Sequence, residues 1–189
     1  MAADVTTVSL PNPLTRVEAY SAGVFAIAAT LLLIELEVPS VGLEGSPGEL
    51  WRELAGLWPS YLAFVLSFGT ILVMWVSHHN ASRLLSGASN TCLYANGLLL
   101  LTIVFLPYPT ALLARYFATE LASAAVVFYA GASGLTSVAF LVWFAAMQKP
   151  VYLLRPEVGA RRISKIWRQS WSGLFAYLIA ALIGWWWPI

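Results

Sequence analysis

From Arg16 to Ser40 the sequence reads RVEAYSAGVFAIAATLLLIELEVPS. Its stretch from Val17 to Val38 is long enough to cross a bilayer, because about 20 mainly apolar residues span the hydrocarbon core. A chain that carries such a segment must satisfy every backbone polar group internally, which restricts it to helices or a closed barrel. The first turns of this segment hold Arg16, Glu18, Tyr20, Ser21 and Gly23. Polar groups at a membrane helix entrance need partners in protein or water. Set just before an apolar stripe, they point to a conduit more than to a plain anchor.

Long apolar runs recur along the rest of the chain. Reading for them gives five segments, about 16–38, 57–79, 91–114, 120–147 and 166–187. Residues 49–56 read as a short helix in the interface, with Trp51 and Leu54 facing lipid. Pro107 and Pro109 are expected to break or bend segment three. Of 189 residues 60% are hydrophobic and only 10% charged, far above the roughly 45–50% apolar content of soluble domains. The mean hydropathy of +0.77 agrees. The expectation is an all-α polytopic membrane protein, residues 1–189 forming one transmembrane domain. A net charge of +1 argues against a nucleic-acid partner, which selects for basic patches. The single cysteine, Cys92, cannot form an internal disulfide and reads as an apolar packer. The first ten residues include Asp4 and no basic stretch, so no cleavable leader is expected.

Charge placement sets the expected orientation. Of ten Lys and Arg residues, Lys149, Arg155, Arg161, Arg162, Lys165 and Arg168 flank the linker between segments four and five. The positive-inside rule makes that linker cytoplasmic. Counting back four crossings puts the N-terminus inside as well, in a multi-pass protein of the cell membrane. The first outer loop and its edges hold Glu35, Glu37, Glu44, Glu49 and Glu53 against Arg52. Such an acidic vestibule would raise the local concentration of cations.

On the first segment, 100° per residue gathers Arg16, Tyr20, Gly23, Ile27, Thr30, Leu31 and Ile34 into one stripe. One reading is a helix–helix seam in which Gly23 permits close approach. The other is a stripe that faces an axis shared by several subunits, with Ile27, Leu31 and Ile34 as stacked apolar rings that gate by dewetting. Thr30 would then supply a hydroxyl. Adjacent histidines such as His78 and His79 point about 100° apart on a helix and cannot share a metal as an i, i+4 pair can. No metal site or cofactor is expected. One of the two histidines is expected to hydrogen-bond buried polar groups, for which Asn96 is a natural companion; a simple interhelical bond serves equally for Asn96. Trp185, Trp186 and Trp187 read as an interfacial aromatic belt. Nothing in the chain pairs a nucleophile with a base, so no enzyme is expected.

Three of these stretches together resemble the bacterial and archaeal branch of the transmembrane protein 175 family. Arg16-x-x-x-Tyr20-Ser21-Ala22-Gly23, followed by VFAIAATLLLIELEVP, is similar to the family's arginine plus Phe-Ser-Asp signature. Trp75-x-x-His78 resembles its segment-two motif, and Asn96 followed by LLLLTIVFLPYPT resembles its segment-three pattern. The resemblance covers roughly the first 110 residues. It implies a tetrameric, potassium-permeable cation channel whose first helix lines the pore. By motif the hydrophobic constriction falls on Ile27, with further lining at Thr30, Leu31 and Ile34. Arg16, Ser21, Trp75, His78 and Asn96 are implied to form a polar cluster that fixes the pore helix to segments two and three. The permeating ions would be potassium and other monovalent cations, in a homotetramer surrounded by membrane lipid.

The chain departs from the family pattern twice. Ala22 stands where the family has aspartate, and Glu18 is the carboxylate offered as its substitute. Five segments are counted where six are expected. Two other functions compete with a channel. A secondary transporter would need a mid-membrane acid for proton coupling and a two-half repeat with broken helices, neither of which is visible. A non-conducting membrane scaffold is the third reading, kept open by the missing aspartate.

Overall fold

Helix-forming apolar runs punctuated by proline and serine caps set the element order. The computed structural model describes residues 13–42, 44–149 and 153–186. Seven helices follow in sequence: α1 (Pro13–Ile34), α2 (Pro47–Gly56), α3 (Trp58–Ser82), α4 (Asn90–Phe105), α5 (Pro107–Tyr116), α6 (Ala122–Met147) and α7 (Ala160–Trp186). Among the described residues four spans are long and apolar enough to cross a membrane: Leu14–Ile34, Trp58–Ser82, Asn90–Tyr116 and Ala122–Met147. They correspond to the first four expected segments. The fifth expected segment lies in α7, which starts earlier, at Ala160. The basic linker residues from Arg161 to Arg168 have joined the helix and make its first half polar. Trp185 and Trp186 are exposed at its far end, and Trp187 falls outside the described residues.

Local chemistry explains the boundaries. Pro39 disfavours helical geometry at the residue before it, and α1 ends at Ile34, with Leu36 N–H closing a last turn on the Leu33 carbonyl at 3.2 Å. Helix α2 opens on a capping box: Ser46 Oγ accepts from Glu49 N–H at 3.3 Å, and the Glu49 carboxylate accepts from Ser46 N–H at 2.8 Å. None of its residues is buried, as expected of an interfacial helix. Ser89 caps α4 by accepting from Cys92 N–H at 3.2 Å. Segment three breaks at Leu106, where Pro107 takes an N-terminal position of α5.

The main core joins α1, α3, α4 and α6, with Leu32, Leu99, Ile103, Leu106 and Phe144 almost fully buried. Helix α4 lies between α1 and α6. Helix α7 packs chiefly on α6 and keeps its apolar face, Phe175, Ile179 and Ile183 among it, exposed. Small residues permit that packing. A Cβ on Gly184 would stand 2.8 Å from Val126 Cγ1, and one on Gly134 would meet Leu174 and Tyr177 at 3.9 Å. On the side of the α3–α4 link, Ser86 N–H donates to the Leu153 carbonyl at 2.8 Å and Arg155 N–H to the Leu84 carbonyl at 2.9 Å. Those two bonds strap the α6–α7 link to the α3–α4 link.

Because valine is stiff about χ1, Gly184→Val cannot be absorbed by a side-chain swing. We expect a loss of about 1–3 kcal/mol of stability, read as a lower melting temperature in detergent. Adding Val126→Ala should restore most of it.

Candidate functional site

Helix α1 has two unlike faces. Leu14, Ser21, Phe25, Ala28 and Leu32 are buried, at the seven-four-three-four spacing of one helical stripe. On the other side Tyr20 is 68%, Ile27 59% and Ile34 76% exposed. Arg16, Gly23 and Thr30 are exposed with them, and Leu31 is half-buried at the edge. A Cβ on Gly23 would meet nothing within 4 Å. Among the described residues Gly23, Ile27, Thr30 and Ile34 therefore pack on no other helix, so these positions form no seam within the described chain. Thr30 Oγ donates back to the Ile27 carbonyl at 2.9 Å. Its hydroxyl hydrogen is thus spent on the helix, and its lone pairs remain to accept a hydrogen bond or contact a cation.

Behind that face three buried side chains form a hydrogen-bonded chain. Asn96 Nδ2 on α4 donates to Ser21 Oγ on α1 at 3.0 Å. This leaves Asn96 Oδ1 as acceptor for His78 Nε2 on α3, 2.8 Å away. The network thereby assigns the proton to Nε2 of His78. The imidazole stacks on Trp143 of α6, ring centroids 4.3 Å apart, and Phe25 tilts against it at 5.6 Å. One polar group from each of α1, α3 and α4 is so locked at a single point, with α6 as a lid.

Of the five residues expected in this cluster, Ser21, His78 and Asn96 come together. Trp75 instead stacks on His79 at 5.9 Å and is 39% exposed. Arg16 is exposed at the first turn of α1, outside the three. Ala22 faces a cavity of about 280 Å³ shared with Thr15, Glu18, Trp75, His78 and Ser82. The position of the family's aspartate thus opens onto the imidazole, and Glu18, one turn earlier, lines the same space.

Two features had weak sequence signals. Trp143 lies in the apolar run FLVWFAA, where an aromatic reads as lipid-facing. A second buried network joins Ser67, Thr110 and Tyr129: the Thr110 hydroxyl lies 2.7 Å from Ser67 Oγ and from the Leu106 carbonyl, and Ser67 Oγ donates to the Tyr129 hydroxyl at 3.1 Å. The Leu106 carbonyl stands at the proline break, so a threonine just after two prolines was the available clue. Among the described residues no three His, Cys, Asp or Glu side chains gather as a metal site would need.

Comparison with known proteins decides the family. Residues 16–107 match the family described as endosomal/lysosomal potassium channel TMEM175. A potassium channel of Chamaesiphon minutus is 41% identical over 165 residues, which cover 87% of this chain and 81% of that one. The chain belongs to the TMEM175 family. A potassium channel of Streptomyces collinus is 37% identical over 79% of this chain and 71% of its own length. The mouse endosomal/lysosomal proton channel TMEM175 is 31% identical, with only 32% of its length matched. The crystal structure of a lysosomal potassium-selective channel TMEM175 homolog from Chamaesiphon minutus superposes with a TM-score of 0.78 at 39% identity, covering 90% of this chain and 86% of that one. This is a family of ion channels and not of enzymes.

Asn96→Ala would leave Ser21 and the His78 imidazole unpaired in the core, each costing about 1–3 kcal/mol. The expected result is a marked drop in melting temperature with assembly still detectable at low temperature. A melting temperature within a degree or so of wild type would show that water replaces the amide.

Proposed function

We propose that this TMEM175 family member is the subunit of a potassium-permeable cation channel in which α1 of each subunit lines the pore. The observation that carries this reading is the exposed stripe of Gly23, Ile27, Thr30 and Ile34 on a helix whose opposite face is fully engaged. An apolar face alone could rest on lipid, but this one includes a glycine and a hydroxyl at helical spacing with the isoleucines. The potassium channels of Chamaesiphon minutus and Streptomyces collinus, similar over most of their length, support the same ion.

In this reading the chain is a homotetramer of the cell membrane with its N-terminus in the cytoplasm. One helix stripe cannot enclose a path, so cyclic symmetry must supply the other walls. Ile27 is the narrowest ring and excludes water until the helices part; Leu31 and Ile34 extend the apolar throat, and Thr30 offers an oxygen between them. The Ser21–Asn96–His78 chain holds each α1 at fixed rotation, so that the four rings stay in register. Arg16 and Trp75 flank that anchor at the inner mouth. Exposed Glu35, Glu37 and Glu44 at the opposite end of α1 raise the local cation concentration. The strap between the α3–α4 and α6–α7 links supports putting both on the cytoplasmic side, since the positive-inside rule assigns Arg83, between α3 and α4, to the same side as the basic linker.

The test combines mass and flux. In nanodiscs the protein should scatter light as four chains, and Ile27→Asn should raise potassium flux into liposomes several-fold because a polar ring wets more readily. The same change at Ile183, exposed on α7, should do little. A monomeric mass, or equal effects at both sites, would remove the pore from α1.

The cavity beside Ala22 generates a further expectation. Ala22→Asp would place a carboxylate within reach of the imidazole edge, in a space of about 280 Å³. The tetramer should melt at an unchanged or higher temperature while cation flux changes. Collapse of the tetramer would mean that the pocket has been rebuilt around alanine and Glu18.

A further inference from the structure

A second cleft, of about 300 Å³, lies between α3, α6 and α7 and takes no part in the proposed ion path. Its α7 wall is Arg162, Lys165, Ile166, Gln169, Ser170 and Gly173, the three-one-three-one-three spacing of a single helical face. Helix α3 supplies Val73, Val76, Ser77 and Asn80 opposite, and α6 supplies Phe140 and Ser137. The chemistry changes along its length. Arg162, Lys165 and Asn80 stand at the end next to the α6–α7 link, whereas Gly173 lies eleven helical residues, about 16 Å, beyond Arg162 on α7, and Val73 lies seven residues, about 10 Å, from Asn80 on α3.

Two things at the basic end call for an anion. No carboxylate lines the cleft, and among the described residues neither the Arg162 nor the Lys165 side chain has a hydrogen bond or ion pair. Arg155, on the same side, is by contrast engaged with the Leu85 carbonyl at 3.0 Å. Moreover Arg161, Arg162 and Lys165 sit in the first turns of α7, where no acidic residue accompanies them. The positive end of a helix dipole disfavours cations and favours an anion.

We propose that this cleft binds a membrane phospholipid with an anionic headgroup. The phosphate sits between Arg162 and Lys165, and an acyl chain runs down past Val76, Phe140 and Gly173. Basic pockets between membrane helices suit such headgroups. The apolar continuation, with Val73 and Val76 open at 58% and 42% exposure, favours a lipid over free phosphate. The lipid would also bridge α3 to α7, which touch little beyond the hydrogen bond of Thr70 with the Tyr177 hydroxyl at 2.9 Å. Bound lipid should therefore raise thermal stability.

The experiment uses the purified full-length chain in neutral detergent and reads lipid retention by native mass spectrometry and melting by size exclusion after heating. Added phosphatidylglycerol should be retained and should raise the melting temperature; phosphatidylcholine and glycerol 3-phosphate should do neither. Arg162→Gln with Lys165→Gln should weaken retention about 30-fold, at roughly a factor of five for each basic residue near a lipid surface. Arg115→Gln, an exposed arginine on α5, should leave retention unchanged. Gly173→Leu narrows the apolar end while keeping both cations, since the nearest atom to a Cβ there is Ser137 Oγ at 3.9 Å; it too should weaken retention, and Val76→Trp serves the same purpose if that variant misfolds. Equal retention of phosphatidylcholine, an equal effect of glycerol 3-phosphate, or full retention by the double variant would overturn the proposal. None of these readouts depends on ion conduction.

Discussion

Asn96 has an amide oxygen and an amide nitrogen to satisfy in a place where water is scarce. It does so by donating to Ser21 and accepting from His78, and that pair of bonds fixes how α1 sits on the rest of the chain. Apolar packing between membrane helices is weakly directional, because lipid tails are as apolar as the side chains they replace. A leucine stripe can rotate or slide by a residue at small cost. An amide that must meet a hydroxyl on one helix and an imidazole on another tolerates neither movement. The face that α1 turns outward follows from where Ser21 is held.

That outward face is sharply set off from the buried one. Ile27 and Ile34 are exposed while Phe25, Ala28 and Leu32, on neighbouring residues, are buried. A helix that used both faces within its own chain would be a structural member of a bundle. This one leaves a face that includes Gly23, Ile27, Thr30 and Ile34 uncovered by the rest of the described chain. His78 is held by stacking on Trp143 as well as by its hydrogen bond, so the anchor is braced from α6. The same helix α6 carries α7 through small-residue contacts. Helix α6 thus supports both the anchor of α1 and the packing of α7.

The resemblance drawn from sequence placed five residues in one polar cluster, and the structure brings three of them together. Ser21, His78 and Asn96 lie on three helices whose inward stripes coincide at one depth. Trp75 is three residues before His78, about 300° round the helix, and ends on the neighbouring surface beside His79. Arg16 is five residues before Ser21, some 140° away around α1, which turns it outward. Sequence order implied proximity, whereas helical rotation decided it. The Ser67–Thr110–Tyr129 network was harder to see, because serines, threonines and tyrosines are common in membrane helices and only the break at Leu106 made Thr110 special.

By itself the sequence determined the class of the molecule: its apolar runs exceed what a soluble core can use, and their lengths match a bilayer, so helices crossing it follow from backbone desolvation alone. It also determined the break at Pro107 and the stripe on α1, since these depend on chemistry within a few residues. Tertiary structure decided the rest. That the stripe faces away from the other helices of the chain, that Trp143 closes over His78, and that the basic start of α7 meets α3 across a cleft all depend on helix rotation and pairing. Those are set by contacts between residues tens of positions apart, such as the 75 between Ser21 and Asn96, and no local periodicity encodes which inward face meets which.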